Sequence, residues 1–391
     1  MARKAGVNRT TLLALVGTLT VTGVLLLLPK PSVGAPFTPK SPDDVVEQVT
    51  TKRIAREHLD APQAAEAAKS LIAESRKRGG DPRLLGQAQA VLAPWWNEPA
   101  PIPAVRLMRA TIKQSLHDFD GALVDLDVLA ADPLDVQAQL TRATVLTVLA
   151  RYDEVEPQCM KLRGQVEDAV AAACLAPLLS IRGKADAAVT LLKAALERTP
   201  KDSPLRGWLL SILGETLVWS GKTDEAITAL QSALKADDSD TYSRLLLASV
   251  FTESAKPAQA VALFEGRVEL NDAELLEYAL AAKAAESKRA PELLERLAAN
   301  VEASRRRGDT VHRREESRYA LRIEGDAPKA LQLAVANFAV QKEPADVRVL
   351  LEASLANKDR AAATPALEWM KKTGFADPHF RTLAAAAESM P

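Results

Sequence analysis

The sequence predicts an all-α chain, a solenoid of antiparallel helix pairs preceded by a signal or anchor segment. Composition is the first observation: aromatic residues are 4% of the 391 residues. Alanine is abundant and alternating Val/Ile/Thr/Tyr runs are hardly to be found, which suits close-packed helices better than sheets. Spacing is the second. Ala110, Ala143, Ala176, Gly214, Ala248 and Ala281 follow one another at steps of 33, 33, 38, 34 and 33, and Ala122, Val155, Ala188, Ala226, Ala260 and Leu293 repeat those steps. Turn phrases in the same register are the third: His117-Asp118-Phe119-Asp120, Ala150-Arg151-Tyr152-Asp153, Gly183-Lys184-Ala185-Asp186 and Gly221-Lys222-Thr223-Asp224.

Taken in order, the chain opens with Arg3, Lys4 and Arg9, then an apolar run from Thr11 to Leu28, Pro29, and small residues at Val33 and Ala35. A basic start, an apolar core and small residues at the −3 and −1 positions read as an export signal over residues 1–35. The run of 18 residues is also a marginal membrane span, and Pro36 follows the cleavage position, so an uncleaved anchor is the alternative. Either outcome carries the body across the cytoplasmic membrane, to a periplasmic or other extracytoplasmic place, with membrane contact only through residues 11–28 if the segment is uncleaved. A mitochondrial presequence fits less well, because the run is apolar rather than amphipathic. No cysteine follows it to take a lipid.

Residues 36–43 form a proline-rich linker, an extended spacer. Residues 44–103 read as an irregular helical N-terminal cap. In it Ile54, Ala55 and Leu59, followed by Ala64, Ala67 and Leu71, form one degenerate helix pair, and Arg83 to Ala93 forms a further helix. Pro94-Trp95-Trp96-Asn97-Glu98-Pro99-Ala100-Pro101-Ile102-Pro103 is too rich in proline to be helical and reads as a junction. From 104 to 391 the register gives a solenoid of about eight repeats. The last two centre on Ala330 and Ala363, again 33 apart.

The unit from Trp208 to Asp238 shows the pattern with least erosion. Leu210, Leu213, Gly214 and Leu217 share one helical face. Gly221 suits a left-handed helix end and Thr223 an N-cap, and Ala226, Leu230, Ala233 and Leu234 give the second helix its apolar face. This resembles the tetratricopeptide repeat, W-x2-L-G-x2-Y, A, A-x3-F, P over 34 residues. Leu210 stands for the Trp, Leu217 for the Tyr, Leu230 for the Phe and Asp238 for the Pro. The resemblance, clearest over 104–270, implies a right-handed superhelix whose concave face is lined by positions 2, 5, 9 and 12 of each first helix. Here these are Gln137, Thr144, Thr147, Trp208, Ser211, Glu215, Tyr242, Thr252 and Tyr278. Family members that clamp a chaperone's C-terminal carboxylates use Lys, Arg and Asn at such positions, a set this chain lacks.

Chemistry-bearing motifs are absent. His58, His117, His312 and His379 stand apart, and no H-E-x-x-H, G-x-S-x-G, P-loop or G-x-G-x-x-G occurs. No catalytic residue, metal site or cofactor is therefore expected, and the chain reads as a non-enzyme. Formal net charge is −1, and without the four basic residues of 1–35 the body stands at −5, which argues against nucleic acid as a partner. Cys159 and Cys174, the only two cysteines, fall on adjoining helices. They read either as a disulfide in an oxidising compartment or as two small buried hydrophobes. Arg305, Arg306, Arg307, Arg313, Arg314 and Arg318 form a basic edge, either for an acidic partner or simply solvated. Trp95-Trp96 reads as a glycan or peptide platform, or as cover for the apolar end of the array.

The function expected is a protein-protein interaction scaffold in the cell envelope, holding a peptide segment or helix of another envelope protein in its groove. The alternative is a glycan-associated factor in envelope polymer export or assembly, stacking sugars on Trp95, Trp96 and Trp208. The export reading makes a direct prediction. A reporter active only outside the cytoplasm, fused after residue 45, should be active; a fusion active only in the cytoplasm would contradict it.

Overall fold

The computed structural model describes residues 59–391, apart from 78–80, 133–134, 165, 268–269 and 309–310. The signal segment 1–35, the linker 36–43 and the first part of the cap lie outside the described residues. Among these residues no β-strand occurs, and no helix is long and apolar enough to cross a membrane.

The cap begins with α1 (Ala61–Lys77) and α2 (Pro82–Val91). Ala64, Ala67 and Leu71 lie on α1, which packs on α2, while Ile54 and Ala55, the first half of the helix pair expected from sequence, lie outside the described residues. Asp81 caps α2 by accepting from the Arg83 N–H, and Pro82 sits in the first turn, where no N–H is needed. The junction is not wholly non-helical: Ala93–Trp95 make one 3-10 turn with Pro94 at its start. Proline leaves the carbonyls of this stretch without helical donors, and arginines supply them. Arg109 Nη1 donates to the carbonyls of Trp95, Trp96 and Glu98 at 3.1, 2.8 and 2.9 Å, and Arg106 Nη2 to that of Pro99 at 2.9 Å.

Eight helix pairs follow: α3 (Pro103–Ser115) with α4 (Phe119–Leu129), α5 (Val136–Val148) with α6 (Tyr152–Leu162), α7 (Asp168–Ile181) with α8 (Ala185–Arg198), and α9 (Leu205–Trp219) with α10 (Thr223–Ala236). Next come α11 (Thr241–Glu253) with α12 (Pro257–Ala262), and α13 (Asp272–Ala284) with α14 (Ala290–Arg307). In the seventh pair α15 (Arg313–Tyr319) runs on into a π-turn (Ala320–Glu324) before α16 (Ala327–Val340). Finally α17 (Pro344–Asn357) pairs with α18 (Arg360–Thr373), and α19 (Pro378–Glu388) closes the array.

Every small position of the register lies on its expected helix. Ala110, Ala176, Ala248 and Ala281 on first helices, and Ala122, Ala188, Ala226 and Ala260 on second helices, are all fully buried. Gly214 shows why. A Cβ added there would lie 2.5 Å from Leu230 Cγ, so glycine is what lets α9 and α10 meet. The turn within a pair needs one left-handed residue. Gly183, Gly221 and Gly325 supply it with φ of 72°, 71° and 72°, whereas His117, Ala150, Ala255 and Lys358 adopt φ of 60°, 58°, 57° and 55° at roughly 1 kcal/mol or more of strain each. Thr223 is the first residue of α10 and not its N-cap, which falls on Lys222 without a side-chain hydrogen bond.

The array does not stay open. Pairs seven and eight return onto the early pairs, and one apolar cluster joins Tyr152, Leu175, Leu178 and Ile181 to Trp369, Phe375 and Phe380. Aromatic edges make much of this seam: Phe375 meets Trp219, Trp369 and Phe380 with ring centroids 5.8, 5.4 and 5.0 Å apart. The arginine-rich edge divides: Arg306 and Arg307 are exposed, whereas Arg305, Arg314 and Arg318 are paired within the fold. Arg305 pairs with Glu316 at 2.6 Å and Glu324 at 3.0 Å, Arg314 lies 3.4 Å from both Glu343 and Asp346, and Arg318 is 2.5 Å from Glu277.

Cys159 on α6 and Cys174 on α7 are joined by a disulfide, with Cα atoms 5.5 Å apart. Closing a loop of 15 residues should stabilise the fold by about 3 kcal/mol in the loop-entropy model. Thiol titration in denaturant, without reductant, of protein from its native compartment should find no free thiol. Two free thiols would contradict the bond.

Candidate partner-binding surface

The first helices pack side by side, α5 on α7, α7 on α9, α9 on α11 and α11 on α13, and so build one continuous face. The residues expected to line that face divide into three groups. Gln137, Thr144, Trp208 and Tyr242 are exposed, and Thr147, Glu215 and Thr252 are half-buried. Ser211 and Tyr278 are buried.

Tyr278 is a correction. It is 1% exposed, stacks on Phe264 with centroids 5.2 Å apart, and accepts a hydrogen bond from Arg289 Nη1 at 3.1 Å. The cause lies in α13, which is buried on nearly every side: Leu275, Leu276, Ala279, Ala281 and Ala282 are all core. A tyrosine placed there by register has no free face to occupy. Ser211 is also internal, its hydroxyl accepting from that of Ser243 at 2.8 Å between α9 and α11. Thr144, Thr147 and Thr252 return their hydroxyls to carbonyls four residues back on their own helices, and Gln137 donates to the Thr141 hydroxyl. Their polar groups are thus already satisfied.

Trp208, Ser211 and Tyr242 are brought together. They line a single cleft of about 800 Å³ at the N-terminal ends of α9 and α11, walled also by Pro204, Gly207, Leu210, Ile212 and the end of α10. Trp208 is 41% and Tyr242 52% exposed, so two large rings stand half in water. Both apolar and polar atoms reach the cleft. Lys201 and Lys235 face Asp202, Asp237 and Asp240, which leaves no strong sign of charge.

The Tyr242 hydroxyl donates to Glu215 Oε1, tying α11 to α9. Burial raises the Glu215 carboxyl to about 7, nearby Glu343 adds to the rise, and the tyrosine bond opposes it. Its folded value lies above its unfolded one. Ionising Glu215 therefore lowers stability as pH rises from about 4.5 to about 7, and the loss is complete above that window.

A buried charge cluster that sequence reasoning did not single out supports the first pair. Asp125, wholly buried, accepts from Arg109 Nε at 2.8 Å and Lys113 Nζ at 3.1 Å. Burial works to raise its carboxyl, but these bonds win and hold it below the usual range. The signal available was the i, i+3, i+7 spacing of Arg106, Arg109 and Lys113, three cations on one face of a first helix. Trp95 and Trp96 pack on the apolar cluster of the cap, with Leu71, Val91 and Met108, and do not share the cleft of Trp208. The three tryptophans do not form one platform.

Residues 180–250 match the family model of the tetratricopeptide repeat. No curated protein matches the chain. Among solved structures, PilW, described as a widely conserved type IV pilus biogenesis factor, is 21% identical with a TM-score of 0.41, over 51% of this chain and 94% of that one. A tetratricopeptide repeat protein from Parabacteroides merdae is 13% identical with a TM-score of 0.28, over 83% of this chain and 100% of that one. The TPR domain of P58(IPK) is 17% identical with a TM-score of 0.25, over 85% of this chain and 98% of that one. The family match falls on the pairs whose small positions and turns keep the clearest register, and residues 180–250 carry the tetratricopeptide repeat.

Proposed function

We propose that the chain is a non-enzymatic interaction scaffold, exported across the cytoplasmic membrane, that holds a peptide segment of another envelope protein in the cleft between α9 and α11. One observation carries this reading. Trp208 and Tyr242 stand half-exposed in one cleft of a fold whose other large aromatics are mostly packed against neighbours. Interfaces draw their energy from a few such anchors, which offer large contact area at small cost in side-chain freedom. The export half of the proposal rests on the basic and apolar pattern of residues 1–35.

The expected groove is thereby narrowed. Glu253, at the C-terminal end of α11, meets Arg348 of α17 at 2.6 Å, whereas Trp208 and Tyr242, near the N-terminal ends of α9 and α11, are exposed, which supports the N-terminal side as the groove. Sugar stacking remains the second reading, now limited to the Trp208 and Tyr242 rings, since Trp95 and Trp96 belong to the cap.

The double change Trp208→Ala with Tyr242→Ala should keep the helical circular dichroism and nearly the wild-type Tm, yet lose the partner captured from envelope extract. Retention of the same captured protein would move the binding surface elsewhere. Tyr278→Ala serves as the opposite control: loss of a packed core ring should destabilise by about 3 kcal/mol or more.

A further inference from the structure

Along the stack each second helix packs on the first helix that follows it, α4 on α5, α6 on α7, α8 on α9, α10 on α11, α12 on α13 and α16 on α17. The joint between α14 and α15 is the exception: among the described residues these two helices barely approach each other. α14 runs 18 residues, whereas α15 has only seven. The space left between α13, α14 and α15 is a cavity of about 40 Å³. Its apolar wall is made by Leu276, Leu297, Val301 and Tyr319. Tyr319 is 6% exposed, yet among the described residues its hydroxyl has no hydrogen-bond partner. A buried tyrosine ordinarily spends that hydroxyl on a neighbour. Arg305 lies over the ring, 5.8 Å from its centroid, but is paired with Glu316 and Glu324 at 2.6 and 3.0 Å.

The lining is acidic: Asp272, Glu315 and Glu316 face one imidazole, His312. Glu316 is taken by Arg305, but Asp272 has no ion pair among the described residues and accepts from Asn300 Nδ2 at 2.8 Å. Glu315 reaches Arg314 only at 3.6 Å, and that guanidinium is shared with Glu343 and Asp346. Among the described residues no three acids or imidazoles converge as a metal ion requires, so the fitting cation is an organic one. The cavity has room for about three waters, which suits the end of an unbranched chain and excludes a ring, a sugar or the guanidinium plane. We infer that it is a second binding site, for the ammonium end of a lysine side chain carried by a partner protein. The lysine methylenes lie along Leu297 and Val301, and Nζ donates to the Tyr319 hydroxyl oxygen and to the carboxylates beside it. The site stands apart from the cleft of Trp208 and holds whether or not that cleft takes a peptide.

In the full chain, n-butylammonium chloride should bind saturably and shift the methyl NMR signals of Leu276, Leu297 and Val301. Neither n-butanol nor sodium chloride at the same ionic strength should do so. The peptide acetyl-Ala-Ala-Lys-Ala-Ala-amide should move the same signals and compete with the amine, and its arginine counterpart should bind about tenfold more weakly. Tyr319→Phe should weaken the lysyl peptide about tenfold while leaving the Tm unchanged or raised, because a buried hydroxyl without a partner adds nothing to the fold. Asp272→Asn with Glu315→Gln should weaken it by as much, and Trp208→Ala should change none of these results. The site is refuted if butanol or sodium shifts the same signals as strongly, or if Tyr319→Phe binds undiminished. A fall in Tm for Tyr319→Phe would equally refute it, by giving the hydroxyl to the fold. Binding of the free amine without the lysyl peptide would overturn the protein source.

Discussion

The structure depends on how closely two helices of a pair can approach. At Gly214 the approach leaves no room for even a methyl group beside Leu230, and at Ala110, Ala176, Ala248 and Ala281 the corresponding side chain is one fully buried methyl. Larger residues at these points would open the pair, and because each first helix also packs on the next, the error would pass along the stack. The 33- or 34-residue spacing is the sequence trace of that constraint. The 38-residue step before Gly214 is taken up inside helices: α8 runs to 14 residues where α4 has 11, and α9 starts nine residues before Gly214 where α5 starts seven before Ala143.

Periodic packing is what a sequence can announce, and here it announced the helix pairs from Ala110 to Ala281 with their turns. Contacts without a period stayed hidden. Tyr278 occupies a groove position by register but a core position in space, since α13 is enclosed by its neighbours. His117, Ala150 and Ala255 hold left-handed turns that glycine would take without strain, so no residue type marked them. The seam joining Tyr152 to Trp369 spans 217 residues, and nothing local in either segment names the other. Arg305, Arg314 and Arg318 could not be told in sequence from their exposed neighbours Arg306 and Arg307, because their acids, Glu277, Glu324, Glu343 and Asp346, lie on other elements.

Function follows from what this packing leaves over. Thr144, Thr147 and Thr252 return their hydroxyls to their own backbones, Ser243 donates to Ser211, and the buried Asp125 is paired with Arg109 and Lys113. Trp208 and Tyr242 are the large aromatics that this accounting does not use up, and they stand together where the face remains open. The cleft itself holds Lys201 and Lys235 against Asp202, Asp237 and Asp240. A half-apolar cleft of balanced charge suits a peptide segment with an apolar anchor better than a polyanion.

The central claim, that close approach of paired helices sets the architecture, is tested by a double-mutant cycle on Gly214 and Leu230. Gly214→Leu alone should destabilise by about 1–3 kcal/mol in chemical denaturation through overpacking. Leu230→Ala alone should cost about 2–5 kcal/mol as a cavity. Together they should recover at least 1 kcal/mol relative to the sum, because the leucine at 214 refills the space left at 230. Additive losses would show that the two residues do not meet, and a harmless Gly214→Leu would contradict the close approach itself.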